Sequence, residues 1–327
     1  MSTLLEIEDL RVDFQRGSLA ELFSGRERSR LRAVNGVSLS VERGETLGLV
    51  GESGCGKSTL ARAVLRLVEP SGGRVGFDGA DVLAMNAAEL FKLRRRMQMV
   101  FQDPYGSLNP RLTVGAALGE VFRVHELCPP DQVGERVGRL MRDVGLPPEL
   151  VDRRPAALSG GQCQRVGIAR ALAVAPDLVI ADEAVSALDV SIQAQILNLF
   201  ASLQKRMSLT LVFISHDLGV VRYLCRKIAV MYLGRLVEIG PTEEVFADPK
   251  HPYTRALIAA MPRMDPEGSL SEQGLLGEPP SPTDVPGGCA FHPRCALAMP
   301  ACRQEPAPAH RALGRRDVWC RLYVDAG

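Results

Sequence analysis

The chain has 327 residues, 46% apolar and 24% charged, a balance that excludes a disordered or fibrous protein and allows more than one folding unit. Its net charge of +1 gives no global electrostatic case for nucleic acid, which is not an expected partner. No apolar run approaches the roughly 18 residues that a bilayer span needs, and the start "MSTLLEIEDLRV" lacks a secretory layout, so the cytoplasm is the expected compartment.

In chain order, the first strand carries "LRVDFQ", where Phe14 taken alone reads as a packing residue. "SGRERSRLR", Ser24 to Arg32, resembles an insertion after that strand. It reads as a solvated loop, with contact to anionic lipid headgroups as the sharper alternative. Thr46 to Val50 is then a short buried strand running into Gly51–Ser58, which reads G-x-x-x-x-G-K-S. Leu60, Val64, Leu67 and Val68 follow at helical spacing, with a stop at Glu69-Pro70.

Strand, glycine-rich loop and helix form the setting a phosphate-binding loop requires. Glycines let successive backbone N–H groups approach a polyphosphate, and the positive end of the helix faces the same anion. Lys57 is placed to reach the β- and γ-phosphates, and Ser58 to ligate Mg²⁺. The expected nucleotide-binding set is Gly51, Glu52, Ser53, Gly54, Cys55, Gly56, Lys57, Ser58 and Thr59.

Further on, Leu178 to Ala181 fits a buried parallel strand and ends in Asp182-Glu183, on the side where such sheets bind ligands. Beside a phosphate loop, Asp182 is expected to hold Mg²⁺, mostly through water, and Glu183 to polarise the attacking water. "LTLVFISHD", Leu209 to Asp217, is another apolar strand; it ends in His216, within reach of a γ-phosphate. These elements describe a parallel α/β ATPase core.

Met264 to Gly288 is rich in Pro, Gly and Ser and reads as an extended linker. Beyond it, Cys289, Cys295, Cys302 and Cys320 are spaced C-x5-C-x6-C-x17-C, near His292 and His310. Four thiolates can ligate a metal or a cluster, zinc sites favour tighter pairs, and plain buried thiols also stay open. Cys55, Cys128, Cys163 and Cys225 are scattered and read as small buried residues.

The remaining motifs carry a family resemblance. "LSGGQCQR", Leu158 to Arg165, closely resembles the signature sequence of ATP-binding cassette (ABC) proteins. "VFQDPYGSLNP", Val100 to Pro110, resembles their Q-loop, "SALD", Ser186 to Asp189, their D-loop, and "ISHD" their histidine switch. The resemblance implies an α/β P-loop NTPase of the ABC type: a parallel sheet core with an antiparallel β subdomain, a helical subdomain at about 103–170, and an irregular cysteine-containing extension. Residues 1–250 would be the nucleotide-binding domain and 251–327 the extension.

The same resemblance implies residue roles. Phe14 would stack on the adenine of ATP, and Gln102 would sense Mg²⁺ and water. Lys57, Gln102, Glu183 and His216 would serve catalysis; Ser58, Gln102 and Asp182 would serve Mg²⁺. Ser159, Gly160, Gly161, Gln162 and Asp189 would cap ATP on a second subunit. Two positions depart from the family pattern. Cys163 stands where arginine or glutamine is usual, which would alter contacts at the partner's nucleotide, and Ala184-Val185 replaces a more general Pro-Thr.

"VGESGCGKSTLARAVLRLVEPSGG", "FQDPYGSLNPR", "ADEAVSALDVSIQAQILNL" and "HPYTRAL" narrow the resemblance to oligopeptide/dipeptide importer ATPases, and within them to the F-type subunit. That implies a D-type ATPase partner, two transmembrane permease subunits, an extracytoplasmic peptide-binding protein and a peripheral place on the cytoplasmic face of the cell (inner) membrane. It also implies a [4Fe–4S] cluster on Cys289, Cys295, Cys302 and Cys320. Importers of nickel or other small solutes share much of the pattern, and a non-transport cassette ATPase is the further alternative.

Overall fold

The structure is a computed structural model and describes residues 2–15, 30–261 and 277–323. The arginine-rich stretch lies outside the described residues up to residue 29, and the linker from 262 to 276.

The chain forms β1 (Thr3–Gln15), β2 (Arg30–Glu42), β3 (Thr46–Val50), α1 (Lys57–Val64), β4 (Gly72–Phe77), β5 (Ala80–Asp81), α2 (Ala87–Arg96) and β6 (Met97–Val100). Next come α3 (Val114–Val124), α4 (Val133–Asp143), α5 (Gly160–Leu172), β7 (Leu178–Asp182), α6 (Val190–Met207), β8 (Thr210–Ser215) and α7 (Leu218–Leu224). The last elements are β9 (Lys227–Tyr232), β10 (Arg235–Pro241), α8 (Thr242–Ala247), α9 (Pro252–Ala259), β11 (Arg311–Leu313) and β12 (Arg316–Val318).

The residues divide into two compact units. The first comprises Met1–Ser2, Glu42–Thr46 and Ala84–Ile214; the second comprises Thr3–Val41, Leu47–Leu83 and Ser215–Gly327. In the first unit β8, β7 and β6 lie side by side, and both neighbouring pairs are parallel. Every residue of β7 and β8 is buried, which explains their unbroken apolar runs: a strand covered on both faces has no polar side to alternate with. Helices α3, α4 and α5 pack together and form the expected helical group. In α4 the buried residues Val133, Val137, Leu140 and Met141 make one apolar stripe at helical spacing.

The second unit holds an antiparallel sheet in the order β2-β1-β4-β5. Leu5 faces Phe77 and Ile7 faces Val75, all four buried, and the register shifts between Glu8 and Arg11, where Asp9 has φ 45°. The unit also holds β3 parallel to β9, with β10 antiparallel to β9. The extension is less irregular than its composition suggests. β11 and β12 form a hairpin, turning at Gly314 with φ 67°, and β12 pairs antiparallel with β10.

Helix α1 ends at Val64 and does not continue to Glu69-Pro70. Leu67 N–H returns to the Arg62 carbonyl at 2.8 Å and Arg66 N–H to that of Ala63 at 3.0 Å, with Arg66 at φ 50°. That left-handed terminus satisfies the last carbonyls while Leu67 and Val68 keep the apolar spacing that mimics a longer helix.

Candidate active site

β3 delivers the glycine-rich loop to the N-terminus of α1 within the second unit. Gly51 has φ 153° and Gly56 φ 107°, backbone that side-chain-bearing residues rarely adopt. Space forbids a side chain too: a Cβ would lie 2.1 Å from the Met231 carbonyl oxygen at Gly51, and 2.1 Å from that of Ala33 at Gly56. Lys57 is buried and its Nζ donates to the carbonyls of Gly51 at 2.8 Å and Glu52 at 2.9 Å, so the lysine closes the loop from inside. Ser53 and Gly54 stand exposed at the tip, and Ser58 and Thr59 are half-buried in the first helical turn. Cys55 is buried; its amide donates to the Glu52 carbonyl, and burial pushes its thiol pKa up.

Two residues not singled out in the sequence also hold this loop. The Glu52 amide donates to Tyr253 Oη at 3.0 Å. The Glu52 carboxylate is forked by Arg294, Nη1 to Oε2 at 2.7 Å and Nη2 to Oε1 at 3.0 Å. Tyr253 lies in "HPYTRAL" and Arg294 directly precedes Cys295, so both motifs offered a signal, though not its target.

The Tyr253 helix is itself anchored from inside. The Glu238 carboxylate, fully buried, accepts the amides of Lys250 and His251, and His251 Nδ1 accepts the Tyr253 amide at 3.0 Å. That bond leaves the His251 proton on Nε2, which has no partner, and burial pulls the imidazole pKa down to about 3.

The first unit brings Gln102 and Glu183 together: Gln102 Nε2 donates to Glu183 Oε2 at 2.9 Å. Asp182, buried, closes β7, and Glu183 follows with φ 47°, its amide bonded to the Ile214 carbonyl at 3.0 Å. A left-handed glutamate costs roughly 1–2 kcal/mol, the kind of strain that clusters at functional positions. Ala184 and Val185 behind it are buried.

In the same unit Ser159 starts α5 with a capping box: its Oγ accepts the Gln162 amide, and Gln162 Oε1 accepts the Ser159 amide at 2.9 Å. Ser159 is exposed and Gly160 half-buried. Gly161 is buried, and a Cβ there would lie 2.5 Å from Ile192 Cγ2. Asp189 is exposed at the start of α6.

Cys163 overturns the expectation attached to it. It is fully buried, its Sγ 3.6 Å from the Pro155 carbonyl, and burial pushes its pKa up to about 11. Four positions beyond the exposed Ser159, this side chain sits in the core with no accessible surface for a direct contact.

His216 is exposed directly after β8, and Asp217 beside it caps α7. Phe14 is 39% exposed on β1, which leaves its ring face available and corrects the reading of it as a core residue.

In the tail, Cys289 N–H donates to the Cys302 carbonyl at 2.9 Å. Burial raises the Cys320 pKa to about 11. Among the described residues, however, no three His, Cys, Asp or Glu side chains form a group able to hold a metal ion. The expected [4Fe–4S] ligand set is therefore not brought together as a metal-holding group.

Known proteins share this architecture. A family model described as "ABC transporter" matches residues 34–186, and one described as "Oligopeptide/dipeptide transporter, C-terminal region" matches 237–302. The "Probable peptide ABC transporter ATP-binding protein y4tS" of Sinorhizobium fredii is 54% identical over 296 residues, 90% of this chain and 84% of that protein. The "Oligopeptide transport ATP-binding protein OppF" of Salmonella typhimurium and that of Escherichia coli are each 50% identical over 325 residues, 98% of this chain and 96% of theirs. Among solved structures, cbiO1 from Clostridium perfringens, part of the ABC transporter complex cbiONQ, aligns with a TM-score of 0.65 at 29% identity, covering 76% of this chain and 92% of its own. The dimeric post-hydrolysis state of the ATP-binding cassette MJ0796, bound to ADP and Pi, aligns with a TM-score of 0.63 at 27% identity, covering 73% and 99%.

Proposed function

The chain belongs to the ABC transporter ATP-binding proteins, and from that premise we propose that this ATPase powers the import of oligopeptides or dipeptides. The observation that carries the peptide reading is the pairing of a cassette with the oligopeptide/dipeptide C-terminal region, in a chain that matches OppF along 98% of its length. Residues 1–250 are then the nucleotide-binding domain and 251–327 an importer-type extension. No helix among the described residues is long and apolar enough to cross a membrane. The chain would therefore work from the cytoplasmic face on separate permeases, beside a second, D-type cassette and an extracytoplasmic peptide-binding protein.

The residue roles follow from chemistry. The loop from Gly51 to Thr59 cradles the phosphates, with Lys57 supplying charge, and Phe14 offers a face to adenine. Ser58, Gln102 and Asp182 carry oxygen donors of the kind Mg²⁺ takes, and the bound ion neutralises phosphate charge. Glu183, oriented by Gln102, takes the proton of the attacking water; His216 steadies charge on the transferred phosphoryl group. Ser159, Gly160, Gly161 and Gln162, with Asp189, present a helix start to the nucleotide of the partner cassette.

Glu183→Gln tests this scheme, because the amide keeps an oxygen for Gln102 but accepts no proton. ATPase of the assembled transporter should fall by about 10²–10⁴ while ATP stays bound; undiminished turnover would remove Glu183 from its role.

For the tail we propose a [4Fe–4S] cluster on Cys289, Cys295, Cys302 and Cys320, supported by the cluster chemistry open to four cysteines within so short a stretch. Protein purified without oxygen should contain iron and acid-labile sulfide in equal amounts, and Cys320→Ser should lose both. Zinc in place of iron, or no metal, would refute the cluster.

A further inference from the structure

The phosphate loop contains one acidic residue, Glu52, and the extension grips it twice. Tyr253 Oη accepts its amide, and the Arg294 guanidinium forks its carboxylate at 2.7 and 3.0 Å. Arg294 is only 5% exposed and is itself fixed: Nη2 donates to the Gly277 carbonyl at 3.0 Å, and its guanidinium carbon lies 5.9 Å from the Tyr232 ring centre and 6.0 Å from that of Phe291. Tyr232, Tyr253 and Phe291 pack against one another, with ring centres 4.6–5.3 Å apart. Beneath them the Glu52 carbonyl accepts Lys57 Nζ, so the residue held by Arg294 also orients the loop's lysine.

An unpaired carboxylate at this point would repel a triphosphate. A fork from a buried guanidinium offsets that charge and fixes the side chain in one geometry. We infer that Arg294 is a positioning residue for nucleotide binding: by neutralising and immobilising Glu52, it lets the C-terminal extension set the ATP affinity of the phosphate loop. This rests on the reading of Gly51–Thr59 as the phosphate site.

The test is a fluorescence titration of the full-length chain with Mg²⁺ and mant-ATP or mant-AMP, together with KM and kcat for ATP in the assembled transporter. Arg294→Met should weaken mant-ATP about tenfold or more, mant-AMP much less, and raise KM while kcat holds. Arg294→Lys should recover part of the loss, and adding Glu52→Gln to Arg294→Met should recover most of it. Arg294→Lys keeps the charge and loses the fork on Glu52, so it decides the matter if Arg294→Met does not fold: its mant-ATP affinity should lie measurably below wild type, with mant-AMP affected less.

Wild-type mant-ATP affinity in folded Arg294→Met or in Arg294→Lys, or equal weakening of both nucleotides, would overturn the inference. A wild-type chain that fails to bind mant-ATP would instead overturn the nucleotide reading, and the inference with it.

Discussion

Cys163 shows how quickly a helix goes from exposed end to buried interior. Ser159 and Cys163 are four residues apart, yet one is exposed and the other has no accessible surface. The family's more usual arginine would have to bury a cation there or force α5 outward. Cys163→Arg should therefore cost more than about 3 kcal/mol in urea unfolding of the full chain, through an unpaired buried charge and overpacking. Stability within about 1 kcal/mol of wild type would mean that the position can reach solvent. Glu183 carries a different burden. Its left-handed backbone is held by the Ile214 carbonyl on one side and by Ser186, whose amide and hydroxyl both donate to the Glu183 carbonyl, on the other.

Helix α5 allows its cap to be separated from the role proposed for it. Aspartate caps a helix as well as serine does, so Ser159→Asp should leave thermal stability nearly unchanged. It would also set a negative charge where the partner's triphosphate is proposed to lie. ATP-dependent association of cassettes, followed by light scattering, should then be lost; retained association would refute the capping of a second nucleotide. The elements were unequally legible. β3 and β7 were visible almost to the residue, since a buried parallel strand is an apolar run with abrupt polar ends. The end of α1 was not, because Leu67 and Val68 continue the periodicity past the turn at Arg66. β11 and β12 left no trace: Arg-Ala-Leu and Arg-Asp-Val are too short to show an alternation. At the site, Lys57, Gln102, Asp182 and Glu183 stood in motifs. The Arg294–Glu52 pair, 242 positions apart, has no local pattern at all.

For the molecule as a whole, one buried imidazole ties folding to acidity. The His251 pKa is lowered by burial to about 3 in the folded chain, against 6.5 unfolded. Below pH 6.5 the unfolded chain binds a proton that the folded chain refuses. The stability that His251 permits is complete above pH 6.5 and is lost progressively as pH falls toward 3, by about 1.4 kcal/mol per unit. Chemical denaturation from pH 7 to pH 4 should give a steeper loss for wild type than for His251→Gln; parallel curves would show that the ring can protonate in place.

The β11–β12 hairpin bears on how such an ATPase can be handled. It is the last strand pair among the described residues, yet β12 occupies the free flank of β10, whose other flank carries β9 and, through it, the strand that launches the phosphate loop. A fragment trimmed to the residues that bear the ATPase motifs would leave β10 with a raw row of amides and carbonyls, open to any strand that can add to it. A fragment cut before Arg311 is thus the wrong preparation for this protein: the β11–β12 hairpin doubles as a hem for β10, and removing it invites fraying and clumping before catalysis can be measured.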